Sequence, residues 1–261
     1  MAASLSPIPR SIDLNADLGE YSTPGEGSSD RELLSIVTSA NIACGAHAGN
    51  EAVMREVIAM AAANGVTVGA HPGYGDPNGF GRRELGIPAK RIRDEVALQI
   101  REMLEVCAAE GTRLRHVKPH GALYNRASVD AEAANAIAEA VHSVDPGLIL
   151  VGLAGSELLR AGRNASLTVA GEAFADRAYL AEGTLAPRDI KGAVLDDPEK
   201  VADRALRMVL EAAVTSMGGA TVRVDADTIC VHGDSDRAVA LARAVRKRLE
   251  ANGIRIAPFA V

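Results

Sequence analysis

Short apolar segments alternate with amphipathic helical segments along almost the whole chain, and this alternation restricts the fold more than any other feature. Predicted strands, some with their exit turns, fall at 12–19, 39–50, 66–71, 115–125, 148–155, 167–179 and 228–234. A strand and a helix in alternation predict right-handed crossovers and a parallel sheet, either closed into a barrel or open and doubly wound. We favour the barrel, because a single α/β barrel routinely has a length near the 261 residues of this chain.

Helix boundaries are marked by capping residues and by glycine. Asn50 can cap a helix that Gly65 ends, and further helices are predicted over 30–38, 130–144 and 198–216. Pro88 opens another helix, Ser156 caps a short one, and Ser235 caps the last one. We expect one domain, 1–261, in which residues 1–11 form a flexible N-terminal extension.

Composition excludes several classes of function. Apolar residues make up 48% of the chain and the formal net charge is -6, which disfavours a nucleic-acid partner. No stretch is long and apolar enough for a signal peptide or a membrane span, so we expect no membrane partner and a cytoplasmic protein. The three cysteines are too few and too scattered for a disulfide framework, which fits a reducing compartment.

Polar side chains collect where the predicted strands end. In parallel barrels the carboxyl ends of the strands carry the chemistry. Here those ends carry Asn15, Asp17, His47, His71, Lys118, His120, Asp176, Arg177, His232 and Asp234. Residues from six units are therefore expected to converge on one rim. Around Asn41, Cys44 and His47 the neighbours are glycine and alanine, which leave room for a ligand.

These residue types permit two kinds of chemistry. Four histidines (His47, His71, His120 and His232), together with Asp13 and Asp17, could hold a divalent metal or act as acids and bases without one. Lys118 needs a carboxylate partner if it is buried, either from a ligand or from Asp13 or Asp17. His116 and His142 are expected to be structural.

The loop arginines are predicted to differ in role. Arg177 lies between Asp176 and Tyr179 and is predicted to clamp a substrate carboxylate. Solvation at the surface is the expected role of Arg82, Arg83 and Arg188. The sequence has no GxGxxG, GxxxxGK, GxSxG or HExxH motif, so the site must be assembled from dispersed segments.

Several longer motifs occur together, namely DLNADLGE, SANIACGAHAG, GAHP, FGRRE, HVKPHGALYN, LVGLAGSE, EAFADRAY and VHGD. In order and spacing they closely resemble the LamB/YcsF family from Ile12 onward. The resemblance implies a (β/α)7-type, irregular TIM-like barrel akin to the glycoside hydrolase/deacetylase superfamily. It also implies ATP-dependent opening of 5-oxo-L-proline to L-glutamate in a complex with 5-oxoprolinase subunits B and C. Two departures stand out: HAGN with Asn50 where the family often has HAGD, and PGYGDP after His71.

With that activity in view, we assign roles as hypotheses. Catalytic roles go to Asp13, Asp17, Lys118 and His120, substrate binding to Asn15, Asn41, Asp176, Arg177 and His232, and metal binding to His47, His71 and Asp17. ATP is the expected co-substrate, a divalent metal of unknown identity is compatible with the residues, and self-association is left open. Two alternatives remain: a stand-alone metal-dependent deacetylase or amidase, and a non-enzymatic lactam-binding regulator.

Overall fold

The computed structural model describes residues 11–231 and 237–260. His232, Asp234 and the predicted cap Ser235 lie outside the described residues, as does the predicted extension except for Ser11, which begins the first strand. Among the described residues, no helix combines the length and the apolar character that a membrane crossing requires.

A closed parallel barrel forms the centre of the described part of the chain. Its strands and the remaining ones are β1 (Ser11–Leu18), β2 (Ser39–Ala43), β3 (Thr67–His71), β4 (Leu114–Val117), β5 (Ile149–Leu153), β6 (Val169–Phe174), β7 (Ala213–Thr215), β8 (Thr221–Arg223), β9 (Thr228–Cys230) and β10 (Arg255–Ile256). The barrel order is β1 through β6 and then β9, and β9 pairs with β1 to close the sheet. The predicted seven-stranded barrel is confirmed.

Helices pack around the outside of this barrel. They are α1 (Ser28–Leu33), α2 (Glu51–Ala63), α3 (Ala89–Ala109), α4 (Gly121–Val129), α5 (Ala131–Val144), α6 (Glu157–Asn164), α7 (Pro198–Glu211) and α8 (Ala238–Ala251). As predicted, Asn50 caps α2: its Oδ1 accepts from the Val53 amide at 3.1 Å. Ser156 caps α6 in the same way.

The period of two in β1 separates two environments. Leu14, Ala16 and Leu18 point outward into the apolar core that the helices cover, and all three are fully or almost fully buried. Asp13, Asn15 and Asp17 alternate with them and hydrogen-bond to side chains of other strands. The barrel interior is therefore polar, as the sequence IDLNADLG (12–19) indicates, because Asp13, Asn15 and Asp17 alternate in it with apolar residues.

Three local predictions need correction. Residues 121–129 form helix α4 instead of a strand exit, because Leu123, Tyr124 and Ala127 make a buried helical stripe. Helix α1 ends at Leu33, and the apolar residues after it pack as irregular chain. Helix α7 ends at Glu211, where Ala212 takes a left-handed conformation (φ 48°) that leads into the β7–β8 hairpin.

Candidate functional site

A cavity of about 550 Å³ opens at the carboxyl ends of the barrel strands. Its walls include Asp17 at the end of β1, His71 at the end of β3, and Lys118 and His120 in the segment after β4. Arg177, in the segment after β6, also reaches the wall. The convergence on one rim that the sequence predicted is therefore present for these residues.

Three histidines and one glutamate meet beside this cavity. Glu20, His47, His71 and His120 each offer a ligand atom, and these atoms lie within 4.8 Å of one another. The Glu20 Oε1 atom is 3.3 Å from both His47 Nε2 and His120 Nδ1. His120 Nδ1 is also 3.0 Å from His71 Nε2. The donor set suits a divalent metal, which binds neutral imidazoles and carboxylates.

Backbone carbonyls fix the orientation of two of these histidines. His71 Nδ1 lies 2.7 Å from the Lys118 carbonyl oxygen, and His120 Nε2 lies 2.8 Å from the Phe80 carbonyl oxygen. A carbonyl can only accept, so these two nitrogens carry a hydrogen. The opposite nitrogens, His71 Nε2 and His120 Nδ1, therefore face the cluster, as in metal sites whose histidines are oriented by outer hydrogen bonds.

The protonation of the histidines differs within the cluster. Burial, together with the charge of His71, lowers the pKa of His47 and of His120 to about 3, so both are neutral. Burial is the largest effect on His71 and opposes its protonation too, but the charge of Asp17, the hydrogen bond to Asp17 and the charge of Glu20 together outweigh burial and raise the His71 pKa. The Asp17 Oδ2 atom is 3.3 Å from His71 Nε2. The raised pKa favours the protonated form of His71 beside Asp17, and His71 can bind a metal only in its unprotonated form.

Lys118 is buried between two carboxylates. Its Nζ atom lies 2.8 Å from Asp17 Oδ1 and 2.7 Å from Glu172 Oε1. Burial disfavours the charged amine, but the Asp17 charge and then the other acidic neighbours raise the Lys118 pKa well above its usual value. Tyr124 donates to the second oxygen of Glu172 at 2.7 Å. Of the partners that the sequence left open for Lys118, Asp17 is the one that the structure pairs with it, and Glu172 is a second partner.

A second polar network lies in the barrel interior away from the cavity. Asp13 accepts hydrogen bonds from the hydroxyls of Thr38, Ser39 and Thr228. Among the described residues that line the cavity, Asp13 is absent, and the same holds for Asn15 and Asn41. This placement argues against water activation by Asp13.

Asn15 and Asn41 lie deeper in the barrel than Asp17 and form a hydrogen-bond network with it. The Asn41 amide nitrogen donates to Asp17 Oδ1 at 2.8 Å and to Asn15 Oδ1 at 2.7 Å. Its oxygen lies 2.8 Å from His116 Nε2, which must donate. Both asparagines therefore hold Asp17 and Lys118 in position, which differs from the substrate contact predicted for them.

Arg177 is almost completely buried, with 4% of its surface exposed. Its Nη2 donates to the Ala186 carbonyl at 2.6 Å, and its Nε has no hydrogen-bond partner within the described part of the chain. Burial, followed by the charge of Arg188, lowers the pKa of Arg177 to about 10. The neighbouring Asp176 is also buried. The guanidinium is thus a fixed cation at the cavity wall.

Sequence reasoning missed two acidic residues of the site. Glu20 follows β1 closely and ends the DLGE motif, while Glu172 is a lone charge within the apolar strand β6. A single charged residue in an otherwise apolar strand was the available signal for Glu172. For Glu20 the signal was its place just after a predicted strand end.

Comparisons with known proteins identify relatives of this chain. The LamB/YcsF family profile matches residues 12–261. The 5-oxoprolinase A subunit of Bacillus subtilis is 49% identical over 94% of this chain and 95% of its own length. That of Streptomyces avermitilis is 49% identical over 95% of this chain and 100% of its own length. The crystal structure of a lactam utilization protein from Thermus thermophilus superposes with a TM-score of 0.89 at 47% identity, covering 95% of this chain and 100% of that one. The chain belongs to the LamB/YcsF family.

Proposed function

We propose that this chain acts as the A subunit of a 5-oxoprolinase and takes part, with subunits B and C, in the ATP-dependent cleavage of 5-oxo-L-proline to L-glutamate. The names of relatives that are 49% identical over nearly their whole length support the proposal. The observation that carries it is one cavity in which a buried lysine and its carboxylates adjoin a histidine cluster and a buried arginine. Such a site offers an acid, a base and a cation to a small anionic amide.

The chemistry must overcome the resonance of the lactam. Transfer of the γ-phosphoryl group of ATP to the amide oxygen makes the ring carbon electrophilic and releases ADP. One water adds to that carbon and the C–N bond breaks, with a proton delivered to the nitrogen. A second water then hydrolyses the resulting acyl phosphate to L-glutamate and inorganic phosphate.

The residues of the cavity can divide this work. Asp17 can accept the proton of the attacking water, and neutral His120 can do so only where its Nδ1 atom holds no metal. Lys118 stabilises negative charge that develops on oxygen, because it remains charged in a water-poor interior. Arg177 binds the substrate carboxylate through its fixed guanidinium.

A divalent metal fits the histidine cluster. Two neutral imidazoles (His47 and His120), a third that must first lose a proton (His71) and the Glu20 carboxylate lie within ligating distance of one another, and they favour a metal site with Asp17 beside His71. A bound ion would supply Lewis-acid activation of an oxygen ligand. The proposed ligand set adds Glu20 and His120 to the set expected from the sequence, and Asp17 lies beside this set instead of belonging to it.

The sequence leaves the position of ATP open, and we propose that a partner subunit binds it, since this chain has no phosphate-binding loop of the GxxxxGK type. The test is 5-oxoproline-dependent ATP hydrolysis by the reconstituted three-subunit complex. We expect L-glutamate and ADP in equal amounts from the complex and no turnover from the isolated chain. A complex that carries Arg101→Ala, a substitution of an exposed arginine of α3, shows the effect of a surface substitution and serves as the control. Turnover of 5-oxoproline by the isolated chain with ATP would contradict the partner requirement.

A metal-dependent deacetylase or amidase is the second candidate, and the Glu20–histidine cluster is the observation that favours it. Its test is hydrolysis of N-acetylated sugars and simple amides by the metal-loaded isolated chain without ATP. Turnover there, combined with an inactive three-subunit complex, would replace the first proposal.

A further inference from the structure

Gln99 is a buried polar residue on the inner face of helix α3. Its neighbours on that face are apolar, among them Ile92, Val96 and Met103, and only 5% of the Gln99 surface is exposed. Glutamine is mostly exposed in folded proteins, because burying an amide costs free energy unless its hydrogen bonds are made. A glutamine in this position therefore indicates a specific hydrogen-bonding partner.

Both ends of the Gln99 amide bind one residue of the loop after β3. The Gly73 amide donates to Gln99 Oε1 at 3.0 Å, and Gln99 Nε2 donates to the Gly73 carbonyl at 3.0 Å. Gln99 Nε2 also donates to the Glu95 carbonyl, one turn earlier in α3, at 3.2 Å. The paired bonds fix the position and the orientation of the Gly73 backbone, as a neighbouring strand would.

Gly73 packs directly against two histidines of the cluster. A Cβ atom at this position would lie 2.8 Å from His47 Nδ1 and 3.3 Å from the His120 Cβ atom. The His47 and His120 rings stack on each other with their centres 3.7 Å apart. The His120 amide donates to the carbonyl of Pro72, the residue before Gly73, at 2.8 Å. A shift of this loop segment therefore moves both imidazoles.

His47 depends on this packing more than the other two histidines do. Backbone carbonyls orient His71 and His120, whereas His47 Nδ1 has no hydrogen-bond partner in the part of the chain that the structure describes. The other ring nitrogen, His47 Nε2, faces Glu20 Oε1 at 3.3 Å. The ring is therefore held in place by its packing, with Gly73 on the Nδ1 side and the His120 ring on one face.

We propose that Gln99 is a positioning residue for the histidine cluster, and that it holds the cluster through Gly73 in the geometry that binds a divalent metal. The inference rests on the metal site that the proposed function uses. Gln99 lies on a helix outside the barrel, and it is not among the described residues that line the cavity or offer ligand atoms. Loss of an outer hydrogen bond of this kind typically weakens metal binding roughly ten- to a hundredfold.

Two substitutions on the same face of α3 separate positioning from stability. Gln99→Met keeps a side chain of similar length but removes both bonds to Gly73. Val96→Ala is the matched control, because it leaves a cavity in the core without removing any hydrogen bond to the loop. Gln99→Glu, which retains an acceptor for the Gly73 amide but has no donor for the Gly73 carbonyl, takes the place of Gln99→Met if that variant does not fold.

Three measurements on the full-length chain check the inference. Competition with a chromophoric chelator gives the zinc affinity, the visible spectrum of the cobalt(II)-loaded chain reports the ligand geometry, and chemical denaturation of the metal-free chain gives the stability. We expect Gln99→Met to bind zinc roughly tenfold more weakly or worse, with an altered cobalt spectrum. Gln99→Glu should change the zinc affinity and the spectrum in the same direction. We expect Val96→Ala to lose stability while it keeps the wild-type zinc affinity and spectrum.

Two results overturn the inference. One is a zinc affinity and a cobalt spectrum of the Gln99 variant that match those of Val96→Ala, since Gln99 would then contribute to stability alone. The other is a wild-type chain that binds neither metal.

The reconstituted complex separates this inference from the proposed function. Cleavage of 5-oxoproline by the wild-type complex, combined with unchanged zinc binding in Gln99→Met, overturns the inference and leaves the function intact. If the wild-type complex does not cleave 5-oxoproline while Gln99→Met still weakens zinc binding, the proposed function fails and the positioning role of Gln99 is supported.

Discussion

Two polar tiers share the interior of the barrel. The upper tier consists of Asp17, Glu20, His47, His71, Lys118 and His120, and the lower tier consists of Asp13, Asn15, Ser39, Asn41, His116 and Thr228. Asp13 and Asp17 lie on the same face of β1, about 13 Å apart at the usual strand rise. Their surroundings nevertheless differ in kind.

The lower tier satisfies its carboxylate with neutral donors. Three hydroxyls donate to Asp13, and burial, moderated by those bonds, raises its pKa to about 6. In the upper tier Asp17 faces the charges of Lys118 and His71 and borders the cavity. An inward-facing acid on a barrel strand can therefore take part in chemistry when it lies close to the carboxyl end of the strand.

The largest effect is expected from Lys118→Met. The substitution leaves Asp17 and Glu172 without their shared cation, which costs about 3 kcal/mol or more for a buried pair. Turnover of the reconstituted complex should fall roughly a thousandfold, as for a lost oxyanion donor. Thermal unfolding and 5-oxoproline-dependent glutamate formation measure the two effects, and Lys118→Arg shows whether charge alone suffices. Activity above a tenth of the wild-type value would remove Lys118 from the chemistry.

His120→Asn should give the next largest effect. The variant removes one donor of the upper tier, so we expect zinc to bind at least tenfold more weakly and turnover to fall roughly a hundredfold. Metal titration followed by elemental analysis checks the first expectation, and the turnover assay checks the second. His142→Asn, on the exposed face of α5, is the matched control. If His120→Asn and the control bind zinc with the same affinity, the histidine cluster is not the metal site.

Gly69→Ala tests the link between the tiers. A Cβ at this position would clash with His116 Nε2, so the buried imidazole must move away from Asn41. We expect a loss of about 2 kcal/mol in the free energy of unfolding, typical of overpacking, and a smaller loss of turnover through the shift of Asp17. Gly218→Ala, which meets open space, is the control in chemical denaturation. If both variants are equally stable, the close packing of His116 does not contribute to stability.

Asp13→Asn should have the smallest effect on turnover, within a few-fold of wild type, because Asp13 does not border the cavity. Its effect on stability depends on pH. The folded-state pKa of about 6 lies above the ordinary aspartate value of 3.8, so the folded state holds the proton more tightly. The stabilisation is complete below about pH 4 and is lost as the pH rises through about 6.

That shift in the Asp13 pKa corresponds to about 3 kcal/mol between those pH values at most. Asp13→Asn should remove this part of the pH dependence, which denaturation curves at pH 4 and pH 7 can measure. Burial also raises the pKa of Asp30 to about 6, so Asp30→Asn should remove a separate contribution of similar size, and the effects of the two substitutions should add in the double variant. A hundredfold loss of turnover in Asp13→Asn would show that the lower tier contributes to the chemistry as the upper tier does.

Local pattern predicted much of this architecture because strands and helices depend on near neighbours. The period of two in β1 identified the inward face, and the cap Asn50 located the start of α2. The same reasoning failed at residues 121–129, where Gly121, in a left-handed conformation, begins helix α4. The sequence around these residues resembles the exit of a strand, but the burial of Leu123 and Tyr124 stabilises a helix there.

By itself the sequence determined the alternation of strands and helices, the inward face of β1 and the concentration of polar residues at the strand ends. Only the tertiary structure decided that Asp17 pairs with Lys118 while Asp13 meets hydroxyls, that Glu20 joins the histidines, and that Arg82 and Arg188 border the cavity. The physical reason is that spacing along a strand encodes the face of a side chain. Its depth in the barrel and its partners depend on the register between strands that are far apart in the chain.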